Sequence, residues 1–304
     1  MFPGQGSQYI GMGKEFYEQI PICKEVYDLA SEVTGLDIPA LCFEENEKIN
    51  ITEYTQICML ATEAAIYMAL EQNGYQPDVT AGLSLGEYGA LIASGVMTAE
   101  EAFELVRKRG IFMQEAVPAG GAMAAVLGLD AAAIEQICRE TAEQTGSEVS
   151  IANYNCPGQI VISGQEEAVH LAGETCKASG AKRVVPLKVS GPFHSKFLKT
   201  AGEKMSVELE KINLTELKIP YVTNVTGEYV SDISKTKELL VKQISSPVKW
   251  EQSVRNMINN GVDTFVEIGP GKTLAGFIRK IDRNVKCINI STVDDLDKLK
   301  EISL

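Results

Sequence analysis

The chain has 304 residues, of which 45% are hydrophobic, and its formal net charge is −13. This length suits one large α/β domain or two smaller ones. The acidic balance argues against nucleic acid or an anionic membrane as a general partner. No apolar run approaches the ~18–20 residues of a membrane span, and these residues include no signal-peptide pattern. Seven cysteines without a Cys-x-x-Cys pair predict free thiols in a cytoplasmic protein and argue against a zinc site.

The first third of the chain is predicted to be mainly helical, with helices over residues 13–33 and 52–73. A short strand at residues 78–81 then leads into Gly-Leu-Ser-Leu-Gly at residues 82–86, followed by helix-forming residues. A Gly-x-Ser-x-Gly sequence between a strand and a helix is typical of a nucleophile elbow, which exposes the serine hydroxyl on a sharp turn. Ser84 is therefore a candidate nucleophile. The alternative is an ordinary Gly/Ser-rich loop, and five residues alone do not decide between the two.

The next predicted helix carries a candidate binding residue, Arg109. Thr98 and Glu101 form a capping-box pattern that opens this helix, which extends through Met113. Arg109 falls inside the apolar face of the helix, where an unpaired guanidinium is costly. Arg109 therefore either recognises a ligand carboxylate or forms an internal ion pair with a protein carboxylate. The periodicity does not distinguish these two interpretations.

The middle of the chain predicts a separate small unit. Its elements alternate as strand, helix, strand, strand, helix and strand, at residues 122–128, 130–144, 148–153, 159–163, 165–179 and 182–188. This order is that of a ferredoxin-like unit. We therefore expect a subdomain at residues 121–189, inserted into a core formed by residues 1–120 and 190–304. Two more core strands are predicted at residues 219–224 and 264–268.

A serine nucleophile needs a base, and the usual base is histidine. The chain has two histidines, His170 and His194. His170 lies opposite the apolar arc of its predicted helix, so we expect it on the surface. His194 lies in an apolar loop with glycine and proline, the kind of segment that often carries catalytic side chains. By elimination, His194 is the base if Ser84 is the nucleophile.

The N-terminal segment Phe-Pro-Gly-Gln-Gly-Ser-Gln, at residues 2–8, is rich in glycine and enters a helical stretch. Its backbone could approach a ligand closely, and the alternative is an ordinary turn. The segment lacks both the phosphate-loop lysine and the Gly-x-Gly-x-x-Gly spacing, so it predicts no nucleotide site.

Taken together, the segments resemble the malonyl-CoA:acyl-carrier-protein transacylases, the acyltransferases of fatty-acid and polyketide synthesis. The similar segments follow in one order over essentially the whole chain: FPGQGSQ (2–8), GLSLGEY (82–88), RGIFMQEAVP (109–118), GAMAA (121–125), NYNCPGQIVISG (153–164), VSGPFHS (189–195), PVKW (247–250) and EIGPG (267–271). So many motifs in order make the resemblance specific. It implies an α/β-hydrolase-like core with an inserted ferredoxin-like (βαββαβ) subdomain, in agreement with the predicted elements.

The resemblance also implies roles for individual residues. Ser84 matches the nucleophile that becomes acylated, and His194 matches its general base. Arg109 matches the residue that pairs with the malonyl carboxylate. The backbone N–H groups of Gln5 and Leu85 match the oxyanion hole.

Further positions are implied around the histidine. Gln243 matches the position whose main-chain carbonyl orients His194, an arrangement that needs no carboxylate. Phe193 resembles the residue of malonyl-selective members, whose ring disfavours an α-methyl branch, a size effect of ~1–3 kcal/mol. Leu83 departs from the family, since many members have histidine there. We expect this change to alter the pocket wall and not the chemistry.

The implied reaction is ping-pong transfer of a malonyl group from malonyl-CoA to the phosphopantetheine thiol of acyl carrier protein, for fatty-acid synthesis. It needs no metal and no other cofactor. The alternatives are a polyketide-pathway acyltransferase, a serine hydrolase such as a thioesterase, and a non-catalytic carrier-docking domain. Hydrolases of this kind usually have serine, then aspartate or glutamate, then histidine along the chain. In this chain the predicted subdomain separates Ser84 from His194. We expect a monomer that binds neither nucleic acid nor membrane.

Acyl carrier proteins are typically acidic, so docking to this acidic chain should need a local basic rim. Candidates flank the His194 loop in sequence, and a second group lies near the C-terminus: Lys182, Arg183, Lys188, Lys196 and Lys199, then Arg279, Lys280 and Arg283. The alternative is that each of these is an ordinary solvated charge.

Overall fold

The computed structural model describes residues 1–117, 120–189 and 191–301. Pro118, which ends one of the family-like segments, lies outside the described residues. Ser190, where the second part of the core was predicted to begin, also lies outside them. Within the described residues, no helix is long and apolar enough to cross a membrane.

The described residues form a mixed α/β structure with twelve α-helices. In chain order, α1 to α12 are Lys14–Gln19, Pro21–Thr34, Ile38–Phe43, Thr52–Gln72, Gly86–Ala93, Ala99–Glu115, Ala131–Thr145, Glu166–Ala178, Lys199–Leu209, Thr236–Ile244, Trp250–Asn259 and Thr273–Ile281. Short 3₁₀ helices lie at Lys48–Asn50, Lys196–Leu198, Ile233–Lys235 and Val293–Glu301. The capping box at Thr98 and Glu101 is present at the start of α6, as predicted.

Eight strands accompany these helices in the described part of the chain. In chain order, β1 to β8 are Thr80–Ala81, Gly121–Leu127, Val149–Cys156, Gln159–Gln165, Arg183–Pro186, Tyr221–Val222, Thr264–Ile268 and Lys286–Ile290. Strands β1 and β6 form one parallel pair, and β7 and β8 form another. The strand predicted at residues 264–268 has the predicted bounds, whereas the strand predicted at 219–224 is shorter.

The first two residues join the two parallel pairs. The Phe2 N–H donates to the Ala81 carbonyl at 3.0 Å, and the Ile268 N–H donates to the Met1 carbonyl at 2.8 Å. The resulting order is β6, β1, residues 1–2, β7 and β8. Helix α4 packs beside this arrangement and contacts α2, α5 and α6. Because α4 is covered on nearly all sides, most of its residues are buried and a one-sided apolar stripe is absent.

Strands β2 to β5 form an antiparallel sheet in the order β3, β4, β2, β5, and α7 and α8 pack on it. Each of the six elements predicted here is present, with ends shifted by a few residues. Apolar side chains of these elements form a buried cluster of their own, separate from the main cluster. This small unit therefore has its own core, and the chain passes through it between α6 and α9.

The single helix predicted over residues 13–33 was wrong, because two helices, α1 and α2, occupy this stretch. Ile20 separates them in an extended conformation, with φ −121° and ψ 111°. Pro21 forces this break, since the residue before a proline avoids the helical conformation. Pro21 then begins α2, where the missing N–H costs nothing.

Candidate active site

Ser84 lies on the turn between β1 and α5, where the sequence predicted an elbow. Its backbone has a φ of 56°, and that of His194 has a φ of 57°. Among the described residues, these two are the only non-glycine residues with positive φ. Such conformations are disfavoured for residues with a Cβ, and they concentrate at functional sites. The backbone therefore singles out the same two residues that the sequence analysis selected.

The two glycines of the elbow allow a very close approach of backbone segments. A Cβ at Gly82 would lie 1.9 Å from the Gly86 carbonyl oxygen. A Cβ at Gly86 would lie 2.3 Å from the Phe2 carbonyl oxygen. Both distances are far inside van der Waals contact, so only glycine fits at either position. The same closeness places the N-terminal segment directly against the turn that carries Ser84.

His194 is hydrogen-bonded to Ser84 on one side and to the backbone on the other. Its Nε2 lies 2.8 Å from Ser84 Oγ, and its Nδ1 lies 2.9 Å from the main-chain oxygen of Gln243. Because a carbonyl only accepts, Nδ1 carries the proton and Nε2 is free to accept one. Burial, and then the nearby Arg109 charge, lower the pKa of His194 to about 4. The imidazole is therefore neutral at pH 7, as a general base requires.

The other histidine is far from this geometry. His170 is exposed on α8, as predicted from the helical periodicity. Gln243, to whose main-chain carbonyl the resemblance assigns the orientation of His194, lies in the last turn of α10 and is buried.

Arg109 is fully buried on α6, inside its apolar face. Its Nη1 donates to Gln56 Oε1 at 2.6 Å, and its Nη2 donates to Gln243 Oε1 at 2.9 Å. Nη2 also lies 3.1 Å from Ser84 Oγ. These partners are all neutral, and no carboxylate is among them. The geometry thus favours the interpretation in which a ligand supplies the carboxylate over an internal ion pair.

The backbone N–H groups of Gln5 and Leu85 make no hydrogen bond to another described residue. Leu85 directly follows Ser84 and precedes α5, and its side chain is fully buried. The side chain of Gln5 is held by a 3.1 Å hydrogen bond to Thr52 Oγ1. Two backbone donors without partners beside a candidate nucleophile can serve a developing oxyanion.

Residues that sequence reasoning missed hold the turn in place. The Asn224 side chain accepts from the Ser84 N–H at 2.6 Å and donates to the Gly82 carbonyl at 2.6 Å. The Glu87 carboxyl accepts from the Asn224 N–H at 3.1 Å and from Gln243 Nε2 at 2.7 Å. Burial raises the pKa of Glu87 to about 7, against the effect of these hydrogen bonds. The only sequence signal for Glu87 is a charged residue in an otherwise apolar helix.

Phe193 and Leu83 directly precede His194 and Ser84 in the chain. Phe193 precedes the histidine and is buried in the main apolar cluster. Leu83, in the position where many related sequences have histidine, is half-buried, and a Cβ at Gly4 would lie 2.7 Å from its side chain. Leu83 therefore packs against the N-terminal segment next to the elbow.

A cleft of about 490 Å³ opens beside His194, between the small unit and the segment after α10. Its lining includes Arg139, Glu148, Lys196 and Ser245.

The basic residues proposed as a docking rim are all exposed: Lys182, Arg183, Lys188, Lys196, Lys199, Arg279, Lys280 and Arg283. Lys196 also pairs with Glu148 at 3.3 Å.

No group of three or more His, Cys, Asp or Glu in the described ranges is arranged to hold a metal ion.

A strained serine, a neutral histidine and two unpartnered backbone N–H groups are typical of enzymes that form an acyl-serine. The chain belongs to the acyl transferase domain family, whose model matches residues 1–293.

Its relatives include the malonyl CoA-acyl carrier protein transacylase of Bacillus subtilis, which is 46% identical over 299 residues, 98% of this chain and 94% of the relative. The crystal structure of the Clostridium perfringens transacylase of the same name covers 98% of this chain and 94% of its own, with 44% identity and a TM-score of 0.94. A malonyl-transacylase in complex with a type II polyketide acyl-carrier protein is 40% identical, covers 98% of this chain and 96% of its own, and has a TM-score of 0.94.

Proposed function

We propose that this chain transfers the malonyl group of malonyl-CoA to the phosphopantetheine thiol of an acyl carrier protein, through a malonyl ester of Ser84. One observation carries the proposal: Ser84 Oγ lies within hydrogen-bond distance of both His194 and Arg109. The first contact activates a nucleophile. The second places a buried cation beside the acyl group that the nucleophile receives, which suits an acyl group ending in a carboxylate.

In the first half-reaction, the malonyl carboxylate pairs with Arg109, and Ser84 Oγ attacks the thioester carbonyl. The Ser84 proton moves to His194 Nε2, while Nδ1–H stays bonded to the Gln243 carbonyl. The N–H groups of Gln5 and Leu85 hold the oxyanion, and one such donor is worth about 3 kcal/mol. When the tetrahedral intermediate collapses, the C–S bond breaks and the His194 proton passes to the CoA sulfur.

In the second half-reaction, the phosphopantetheine thiol of the carrier attacks the malonyl ester. His194 now takes the thiol proton, and the same two N–H groups hold the second oxyanion. The ester C–O bond breaks, and the proton returns to Ser84 Oγ. The cycle ends with free Ser84 and malonyl thioester on the carrier, so the chain needs no metal or other cofactor for it.

The substrate assignment draws on the site and on the relatives. Among the described residues, the Arg109 guanidinium hydrogen-bonds only to neutral groups, so the carboxylate of a dicarboxylic acyl group can pair with it directly. Phe193, buried beside His194, disfavours a branched acyl group by its size. The relatives are named for malonyl-CoA and acyl carrier protein. We propose fatty-acid synthesis as the pathway. A polyketide carrier is the second candidate, because one structural relative is in complex with such a carrier.

The architecture proposed for this chemistry is an α/β-hydrolase-like core, residues 1–120 and 190–304, with a ferredoxin-like subdomain at 121–189. The strand order β3, β4, β2, β5 and the separate apolar cluster support the subdomain. The cleft beside His194 is the proposed path of the phosphopantetheine arm, and charged residues of both signs line it, among them Arg139, Lys196 and Glu148. We place the enzyme in the cytoplasm, since its seven cysteines are free thiols, as a reducing compartment favours.

Labelled malonyl-CoA distinguishes this function from its alternatives. The purified chain is mixed with malonyl-CoA carrying label in the malonyl group, with and without holo carrier protein. The proposal predicts that label appears on the carrier and that release to water is slow by comparison. Fast release as free malonate would identify a hydrolase, and label that stays on CoA would identify a non-catalytic docking domain.

A further inference from the structure

Gln243 links the candidate site residues through both its backbone and its side chain. Its main-chain oxygen accepts from His194, and its side-chain Oε1 accepts from Arg109. Its side-chain Nε2 donates to Glu87 Oε2 at 2.7 Å and to the Ser84 carbonyl at 2.9 Å. The function proposed above uses only the backbone carbonyl. The side-chain amide bridges a buried cation on one side and a buried carboxyl on the other.

Three neighbours set the direction of this amide: the Ser84 carbonyl and the Glu87 carboxyl accept from Nε2, and Arg109 donates to Oε1. An ionised carboxylate only accepts hydrogen bonds, and a guanidinium only donates them. With Nε2 toward Glu87 and Oε1 toward Arg109, both contacts are favourable. A reversed amide would face a carboxylate with its oxygen and a guanidinium with its NH₂, so both contacts would become repulsive. Glu87, the charged acceptor of Nε2, therefore favours, together with the Ser84 carbonyl, the orientation in which Gln243 supports Arg109.

We propose that Glu87 is a positioning residue that acts through Gln243: it fixes the Gln243 amide so that its oxygen holds the Arg109 guanidinium in place for the acid end of the acyl group. This inference rests on the proposed malonyl transfer. Glu87 is fully buried, so no solvent can replace its hydrogen bonds when it is removed. Glu87 itself touches neither Ser84 Oγ nor His194.

Glu87 also accepts from the Asn224 N–H, and Asn224 holds the Ser84 backbone, which gives Glu87 an alternative role. That role would be structural support for the turn. Loss of such support would weaken acylation by every acyl-CoA to the same extent. Loss of the Gln243 link would instead weaken malonyl transfer more than acetyl transfer, because only the malonyl group has a carboxylate that pairs with Arg109. The ratio of the two rates therefore separates the two roles.

The test compares malonyl and acetyl transfer at pH 8, above the pKa of about 7 to which burial raises the Glu87 carboxyl. Glu87→Met keeps the side-chain length but removes the acceptor, and we expect the malonyl-to-acetyl ratio of kcat/KM to fall about tenfold, the effect of losing one hydrogen bond to a charged group. Glu87→Gln retains an acceptor oxygen for Gln243 Nε2 and should restore most of the ratio. Glu63→Met is the matched control, because Glu63 is a fully buried carboxyl of α4 whose oxygens bond to no described residue. Its ratio should equal that of the unsubstituted chain.

Gln243→Met removes the same link from the other side and keeps the backbone carbonyl that orients His194. In this background, Glu87→Met should cause no further fall in the ratio, because residues that act through one contact are not additive. If Glu87→Met fails to fold, as judged by its thermal melting, Gln243→Met alone must still lower the ratio. Equal losses of malonyl and acetyl transfer in the folded variants would overturn the inference. Absence of malonyl transfer in the unsubstituted chain would instead refute the proposed function.

Discussion

Removing the Arg109 guanidinium should convert a malonyl-selective site into a nearly unselective one. In Arg109→Ala, a bound malonyl carboxylate loses its charge-assisted hydrogen bonds, each worth ~1.5–3 kcal/mol. Two such hydrogen bonds, each at the lower end of this range, give about 3 kcal/mol, which is a factor of about 150 in kcat/KM. Acetyl transfer has no carboxylate to lose, so the malonyl-to-acetyl ratio should fall by about that factor.

The substitution also has a cost that both substrates share. The amide oxygens of Gln56 and Gln243 lose their donor, and a buried unpaired acceptor costs ~1–3 kcal/mol. We therefore expect a lower melting temperature and lower absolute rates for both substrates. The ratio cancels this shared cost. Initial rates with each acyl-CoA, measured on the same preparation, give the ratio directly.

A second arginine on the same helix provides the control. Arg107 lies on α6, is partly exposed, and contacts the main-chain oxygen and the carboxylate of Glu53, at 2.7 and 3.1 Å. Arg107→Ala should therefore leave the malonyl-to-acetyl ratio unchanged. If Arg109→Ala lowers malonyl and acetyl transfer equally, its role is structural, and the substrate-binding assignment is wrong.

Other substitutions and conditions test the remaining parts of the proposed mechanism. His194→Ala should reduce transfer by orders of magnitude because the base is lost, whereas His170→Ala, on the exposed face of α8, should be near neutral; the reverse order in steady-state rates would contradict the assignment. Because burial lowers the pKa of His194 to about 4, the imidazole stays neutral as the pH falls, and single-turnover acylation of the serine by acetyl-CoA, which has no carboxylate to pair with Arg109, should persist from pH 7 to about 5. A midpoint near 6.5, the ordinary histidine value, would argue against a buried base. Reversing the charges of exposed Lys196 and Lys199 together should raise the KM for carrier protein in a salt-dependent way and leave serine malonylation by malonyl-CoA unchanged. A carrier KM that is flat across these variants and across salt concentration would exclude this rim as a docking surface.

The parts of the site that were predictable from the sequence have local signatures. The glycine spacing around Ser84 predicts a sharp turn without any tertiary information. The helical period places Arg109 on a buried face, and the same argument places His170 on an exposed one. His194 followed by elimination, because the chain has only one other histidine. For Ser84, Arg109 and His170 a few neighbouring residues carry the information, whereas for His194 the histidine count of the whole chain carries it.

Glu87 and Asn224 were not predictable in this way, because their partners lie far along the chain. Glu87 and Gln243 are 156 positions apart, and Ser84 and Asn224 are 140 apart. A glutamate or amide within an apolar segment indicates a buried partner but does not identify it. The break before Pro21 was missed for a different reason: the apolar pattern continues across it, and the steric effect of proline overrides that pattern.

The central claim is that the malonyl group passes through Ser84, and mass spectrometry of the intact chain tests it most directly. After brief mixing with malonyl-CoA, the chain should gain the mass of one malonyl group, peptide mapping should place it on Ser84, and holo carrier protein should remove it. Ser84→Ala should remain folded and gain no such mass, because no other described serine has the same strained turn beside a histidine. A stable malonyl adduct on Ser84→Ala, or on a different residue of the unsubstituted chain, would contradict the mechanism.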